Sequence, residues 1–564
     1  MADSTSEKIS RPVRPAGFLR HSPWILLFLT VFVVAAVRWR LREMPLERDE
    51  GEYAYAGQLM LQGIPPYKLA YNMKLPGTYA SYAAIMAVFG QSPSGIHLGF
   101  ALVNAAAIVL VFFCGRRLLD EWAGVAAAVT YALTSLSVSV LGLQAHATHF
   151  VVLPALGALF IFLQASISGK LRSLFASGFL FGVAFVMKQH GVMFGVFGLF
   201  YLVWVRARVQ RDQFAWSKIR ARSVPFDRVK YGRELSVFAA GLALPYLLVC
   251  LFLGLAGVFH QFIFWTVQYA NQYVSAVPLG NRSELFRDAV NVVASPNIMF
   301  WILAGLGGIL MWGEKRLGKQ KILLTALLIC SCLSISIGFY FREHYFVLLL
   351  PALSLLAGVA VSRGVFLLKQ SRTAERFLAA PTLGLFLIGV VSTVVSQGEV
   401  WLGLSPVKAC RQIYGSSLFP QAVAIGDYLR TNSAPTATIA VLGSEPEIYF
   451  YSRRHSATGY IYMYPLMEAQ EYAQKMQEEA IHEIESARPE YVVFVKEPHS
   501  WLRSAGSKEN LFEWWPAYRA AHYELAHTFE IETEQHVSDE TTDRPPKGTV
   551  DVYRRNTPDS ASGR

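Results

Sequence analysis

Charge is what this sequence is short of. Only 16% of its 564 residues are Asp, Glu, Lys or Arg, against about 25% in ordinary soluble domains. With 53% hydrophobic residues, that shortage excludes an ordinary soluble enzyme. The net charge of +11 is not gathered into a basic-aromatic patch, so nucleic acid is not an expected partner. Cysteine is scarce as well. Of the five, Cys114, Cys250, Cys330 and Cys332 lie in or beside apolar segments, and Cys410 stands alone in a polar stretch. No disulfide framework or zinc spacing follows from them. There is no convincing internal repeat. A cleavage site is missing too: the basic N-terminus (Lys8, Arg11, Arg14, Arg20) and the apolar run 24–37 lead into Arg38-Trp39-Arg40 rather than small residues. An uncleaved signal-anchor with a cytoplasmic N-terminus, residues 1–22, is expected.

What the chain has is apolar length. Mean hydropathy is +0.33, and runs near the roughly 20-residue span criterion recur through the first 400 residues. About eleven spans are expected, with cores at 23–41, 94–114, 121–141, 147–165, 173–187, 190–205, 236–258, 292–312, 322–340, 344–362 and 378–396. Alternate breaks are basic: Arg116-Arg117, Lys170/Arg172, 206–233, 315–321 and 363–376. The Lys/Arg bias sends these to the cytoplasm. The intervening breaks then face outward, and they hold nearly all the unusual polar residues. Polar groups at a membrane face are a functional-site hypothesis by default.

The first outer loop, 42–93, stands out. Asp49, Glu50 and Glu52 put three carboxylates in four residues, ahead of a Gly63-Ile-Pro65-Pro66 break and Lys74-Leu-Pro76-Gly77. Asp49 with Glu52 three residues on reads as a capping box opening a short helix. By that pattern alone Asp49 need only be a cap. The segment 78–89 reads as a juxtamembrane helix. After about 400 the chain changes character. Strand runs at 438–442, 491–495, 523–531 and 549–553 alternate with a helical stretch at 468–486. That is a small α/β unit, 401–555, expected outside the membrane. Gly443-Ser-Glu-Pro-Glu447 reads as a turn with a capping box opening a helix, and as a weak candidate for an anion at a helix start. Residues 556–564 read as a disordered tail.

The acidic first loop, the Lys-x-Pro turn and a later Lys at an outer face together resemble GT-C glycosyltransferases. The nearest families are the protein mannosyltransferases, the bacterial lipid A aminoarabinose transferases and the Rhizobium lipopolysaccharide glycosyltransferases. The resemblance covers roughly residues 20–400. It is strongest at Asp49-Glu50-x-x-Tyr53-Ala54, Lys74-Leu-Pro-Gly77, Phe185-Val-Met-Lys188 and Tyr345-Phe-x-x-x-Leu-Pro351. It implies a polyprenyl-phosphate sugar donor, a glycan, lipid or protein acceptor, and a plasma (inner) membrane location for the 23–400 transferase region. It makes Asp49 the catalytic carboxylate, a base for a sugar hydroxyl. It makes Lys188 the lysine that holds the donor phosphate; otherwise Lys188 only snorkels at a span end. Lys74 resembles an acceptor-side lysine, or else meets lipid headgroups. Glu50, with Tyr53, joins the expected substrate-binding set, although Glu50 and Glu52 also read as caps, solvated charges or metal contributors.

One departure is Gln144-Ala-His146-Ala-Thr-His149, where relatives usually carry a second acid. Two histidines at i and i+3 share a helix face. With Asp49 they could hold a divalent cation, or they could hydrogen-bond a sugar. No cofactor is otherwise expected. The aromatic, amide-rich segment 260–273 resembles a second outer loop, with Gln268 facing substrate, but lacks the family's usual basic residue. Arg342 is a second candidate for the donor phosphate, or pairs with a carboxylate. The alternative function is a transporter or flippase for lipid-linked sugars. A further reading makes the chain an assembly protein with a partner-binding C-terminal unit.

Overall fold

The computed structural model describes residues 17–220, 227–275, 277–369, 373–415, 418–531 and 548–556. Most of the N-terminal segment, part of the 206–233 break and the tail after 556 lie outside them.

Each of the eleven expected spans falls on a helix: α1 (Gly17–Arg40), α4 (Pro93–Leu118), α5 (Glu121–Leu136), α6 (Ala147–Ser168), α7 (Leu171–Met187), α8 (Val192–Arg220), α9 (Arg228–Leu255), α13 (Ile298–Gly313), α14 (Gln320–Ile335), α15 (Leu350–Leu368) and α16 (Thr373–Gly398). Among the described residues, eight helical stretches are long and apolar enough to cross a membrane; α5, α7 and α14 are shorter, at 16, 17 and 16 residues. Phe28, Leu251, Ile309 and Val395 stand exposed on these helices, as a lipid-facing surface requires. Between α1 and α4 the first loop folds into α2 (Arg48–Leu61) and α3 (Gly77–Phe89). Between α9 and α13 lie α10 (Phe259–Ile263), a π-helical turn (Phe264–Tyr269), α11 (Ala270–Ser275) and α12 (Arg282–Ala294).

The basic breaks gather at one end. Arg316 pairs with Asp120 at 2.9 Å and with Glu314 at 3.0 Å, and Arg363 reaches Glu314 at 3.5 Å. α2 packs at the other end, beside the start of α4, where Glu50 meets His97. The 26 residues of α4 separate these ends by about 39 Å at 1.5 Å per residue.

The C-terminal unit comprises α17 (Pro406–Tyr414), α18 (Phe419–Asn432), β1 (Thr438–Leu442), α19 (Glu447–Ser452), β2 (His455–Ser456), α20 (Tyr464–Met467), α21 (Ala473–Ala487), β3 (Tyr491–Lys496), α22 (Pro498–Trp501), α23 (Asn510–His522), β4 (Tyr523–Glu530) and β5 (Thr549–Arg555). Its sheet runs β2-β1-β3-β5-β4. β1 pairs with β2 and β3 in parallel, and β5 pairs with β3 and β4 antiparallel. The four expected strands are all there; the two-residue β2 is too short to show a pattern. The expected capping box at 444–447 is absent. α19 begins after Pro446 with no side-chain cap, because Ser444 Oγ accepts from Met463 N–H and Glu445 accepts from Ser500 Oγ. That turn serves contacts within the unit, and it also receives Arg48 of α2: Ser444 O accepts from Arg48 Nε at 2.6 Å.

Candidate active site

α2 starts two residues earlier than its sequence suggests. Its cap is Glu47, whose side chain accepts from Glu50 N–H, while the Glu50 carboxylate accepts from Glu47 N–H. The capping box is therefore Glu47/Glu50, and Asp49 is free of cap duty. Asp49 instead points to a cavity and keeps 24% of its side chain exposed.

Neither Glu50 nor Glu52 is a solvated charge. Glu50 is fully buried; it accepts from Ala145 N–H at 2.6 Å and lies 3.1 Å from His97 Nε2. Glu52 accepts from Lys74 Nζ at 2.6 Å and from the Tyr79 hydroxyl. Both are interior pins for α2. Gly51 lies between them at close range to α19: a Cβ there would come within 2.5 Å of Glu447 Cβ.

The Lys74-Leu-Pro-Gly77 turn brings the first loop onto the end of α7. A Cβ on Gly77 would collide with the Val186 backbone, so only glycine allows this approach. Thr78 Oγ1 then donates to Met187 O at 2.8 Å, and Gln189 Nε2 donates to Met73 O at 2.5 Å. These bonds place Lys74 and Lys188 on one wall. Lys74 Nζ donates to Asp49 at 2.7 Å and lies over the Tyr53 ring at 4.6 Å. Lys188 lies over Tyr345 at 4.3 Å, with His344 Nε2 3.5 Å away.

The cavity has a volume of about 420 Å³ and is lined by Glu47, Asp49, Lys74, His146, Lys188, Arg342, His344 and Tyr345, with Trp265, Tyr269 and Tyr273 on one side. The C-terminal unit supplies Tyr462, Tyr464, Glu468 and His499. So Asp49, Lys74, His146, Lys188 and Arg342 are brought together. Glu50, Tyr53 and His149 are buried away from its lining, and Gln268 is exposed outside it. Gln268 misses because the π-helical turn directs Trp265 and Tyr269 inward instead.

The two histidines do not share a face. His146 is the residue before α6, with extended backbone (φ −60°, ψ 148°), so the i, i+3 rule fails there. His149 packs edge-on against Phe100. His146 turns to Glu47 at 3.6 Å and Asp49 at 3.8 Å, and its ring stacks on His344, centroids 4.4 Å apart and planes 9° from parallel. The metal-type trio is therefore Asp49, His146 and His344, each with one ligand atom within 4.8 Å of the others. Stacked imidazoles carry their lone pairs in parallel planes. They do not converge on an ion unless one ring turns, although Lys74 holds only Asp49 Oδ1 and leaves Oδ2 toward His146. The trio as it stands is not a formed metal site.

The electrostatics favour an anionic guest. Burial works to raise the Asp49 carboxyl, but Lys74 and His146 outweigh it and hold it well below the usual carboxylate range. Burial pushes Glu47 up to about 7 against the pull of His146, and pulls Lys188 down to about 7 against Asp49. Burial would lower His146, but Glu47 and Asp49 raise it; His344 is held neutral by burial, then by His146 and Lys188. His146, raised by its carboxylate neighbours, thus stacks on a His344 held low by burial.

Residues 75–220 match the family described as dolichyl-phosphate-mannose-protein mannosyltransferase. ArnT from Cupriavidus metallidurans, solved bound to undecaprenyl phosphate, superposes with a TM-score of 0.55 at 16% identity, over 94% of this chain and 98% of its own. The archaeal oligosaccharyltransferase AglB from Archaeoglobus fulgidus, in complex with an inhibitory peptide and a dolichol-phosphate, gives 0.51 at 14% identity, over 86% and 70%. The Archaeoglobus fulgidus oligosaccharyltransferase complex with Zn and sulfate gives 0.51 at 15% identity, over 89% and 71%. The chain is a membrane glycosyltransferase of the GT-C fold. No curated protein matches its sequence.

For this GT-C chain, the sequence reading missed Glu47, His344, Tyr345 and the whole contribution of the C-terminal unit. Glu47 and Glu50 are spaced as a capping box. Arg342-Glu-His-Tyr345 was legible as a polar span end, and Tyr460-Ile-Tyr462-Met-Tyr464 as an aromatic cluster. Nothing in the linear order says that the two meet.

Proposed function

We propose that this chain moves one sugar from a polyprenyl-phosphate carrier to an acceptor on a glycan, lipid or protein. The reaction would take place outside the cytoplasm, at the plasma (inner) membrane. The N-terminus and the basic breaks would then face the cytoplasm, with the cavity and the C-terminal unit outside. The observation that carries the reading is Asp49 sharing one cavity with Lys74, Lys188, Arg342 and His146. The family description, and the undecaprenyl phosphate bound to ArnT, support the donor class.

The acceptor oxygen attacks the anomeric carbon from the face opposite the phosphate. A new C–O bond forms as the bond to the phosphate oxygen breaks, and the configuration inverts. The electron pair leaves on the lipid phosphate, where Lys188 and Arg342 stabilise it. The acceptor proton goes to Asp49. A carboxylate held low by Lys74 is a weak base, so the proton moves late, as the acceptor oxygen bonds to carbon. An incoming phosphate competes for Lys74 and loosens its hold on Asp49. His146 stays near Asp49 throughout and offers ring nitrogens without a hydrogen-bond partner to a sugar hydroxyl. Nothing in the site favours transport or flipping.

The test is mass spectrometry of envelope glycolipids and glycoproteins with and without an active copy, followed by turnover in proteoliposomes with polyprenyl-phosphate sugars. A transferred hexose or pentose supports the reading. Movement of lipid-linked sugar with no glycosidic bond formed contradicts it.

A further inference from the structure

The C-terminal unit does more than cover the cavity. It bonds directly to the helix that carries Asp49. The Tyr462 hydroxyl donates to Arg48 O at 2.9 Å and lies 3.5 Å from Asp49 Oδ1. Its ring is 5.7 Å from the Lys74 ammonium. Tyr462 is buried and lines the cavity. Around it, the Tyr451 hydroxyl accepts from Leu46 N–H at 2.9 Å, Ser456 N–H donates to the Tyr55 hydroxyl at 2.7 Å, and Arg48 reaches Glu445 at 3.3 Å. Every one of these contacts lands on α2 or the residue just before its cap.

We propose that Tyr462 is a positioning residue for Asp49, so that the C-terminal unit completes the catalytic centre rather than decorating it. This rests on the transfer reading above. A carboxylate in the first turn of a helix is aimed by that turn's backbone. Arg48 O is its neighbouring carbonyl, and a phenol anchored there fixes the direction in which Asp49 leaves the helix. Asp49 faces Lys74 from one side and His146 from another. Small rotations of the first turn would trade one partner for the other. Tyr462 touches both the turn and the carboxylate, and it comes from a segment more than 400 residues away in the chain. A misplacement on the order of 1 Å costs up to about 100-fold in rate, so a single hydroxyl in this place matters to turnover and little to folding.

The experiment compares Tyr462→Phe with Tyr460→Phe in the full-length protein. Tyr460 is a nearby buried tyrosine whose hydroxyl bonds Glu479 at 2.8 Å, away from the cavity. Steady-state transfer and hydrogen–deuterium exchange of the Arg48–Glu52 amides are measured for each. Tyr462→Phe is expected to lower kcat about 10- to 100-fold, to leave KM for the lipid-phosphate donor within twofold, and to speed exchange in that turn. Tyr460→Phe is expected to change neither. Parental kcat and parental exchange in Tyr462→Phe, or equal losses in both variants, overturn the proposal. The exchange readout needs no turnover. If the unaltered protein transfers no sugar, the function reading fails while the Tyr462 arm is still decided.

Discussion

Lys74 holds Asp49 in a 2.7 Å ion pair at the edge of the cavity. The same ammonium is 2.6 Å from Glu52, which is fully buried and cannot follow a substrate. Lys74 therefore has one fixed partner and one that faces the guest. Burial works against the charged lysine, but Asp49 and Glu52 together raise it above its ordinary range, so it stays an ammonium at any working pH.

Replacing Lys74 with Met should release Asp49 and raise its carboxyl toward the usual range, while leaving Glu52 buried beside Tyr79 without its cation. Turnover should fall about 10²–10⁴-fold, the range for lost acid–base and charge support. The acid limb of the pH–rate profile should move upward. An unshifted limb with a normal rate would show that the pair does not govern the reaction.

Donor-phosphate binding should weaken as pH rises through about 7. Lys188, brought down to about 7 by burial, loses its positive charge there. Glu47, pushed up to about 7 by burial, gains a negative charge over the same window. Both changes oppose an anion. For stability the signs differ. Above about 7 the unfolded chain binds the extra proton on Lys188, so its contribution to stability rises with pH until the unfolded value near 10.4 is passed. Glu47 contributes stability that is full below its unfolded value and is lost as pH rises through about 7. Binding of a polyprenyl-phosphate sugar, whose phosphodiester keeps one charge across pH 6–8.5, checks the first claim, and Lys188→Met should remove part of the slope. A flat profile in the parent protein would contradict it.

Glu50→Ala should act on the fold before it acts on chemistry. The variant strips His97 and Ala145 N–H of their buried acceptor. Breaking such a pair costs about 3–5 kcal/mol. Thermal unfolding in detergent should show it. A variant as stable as the parent with selectively lost substrate affinity would return Glu50 to the substrate-binding set.

Chelation should leave the rate unchanged, because the His146 and His344 rings lie parallel, 4.4 Å apart, and do not converge on one ion. Activity lost to EDTA and restored by Zn2+ or Mn2+ would mean that His344 turns out of the stack and completes a site with Asp49 and His146.

The span pattern was legible because lipid imposes it. Long apolar runs and basic breaks leave few other folds, and each expected span is a helix. β1, β3 and β5 were legible for a similar reason: buried strands need β-branched and aromatic runs, whereas β4 is an exposed edge strand marked by its own Tyr523, Thr528 and Phe529. Asp49, Lys74 and Lys188 could be singled out because a charge beside a span needs an explanation. The failures have two causes, the placement of helix caps and long-range packing. His146 and His149 were paired by helical spacing, but His146 is the extended residue capping α6, outside the helix whose face carries His149. Glu47, two residues earlier, took the cap assigned to Asp49. His344 and Tyr462 join the site through long-range packing, which periodicity does not record.

The central claim is that Asp49 receives the acceptor's proton inside a cationic cavity. Single-turnover transfer by Asp49→Asn, in proteoliposomes loaded with polyprenyl-phosphate sugar, tests it most directly, with donor-phosphate binding measured alongside. The expected result is a fall of at least about 10²–10⁴-fold in the transfer step with binding retained. Transfer at the parental rate would contradict the account.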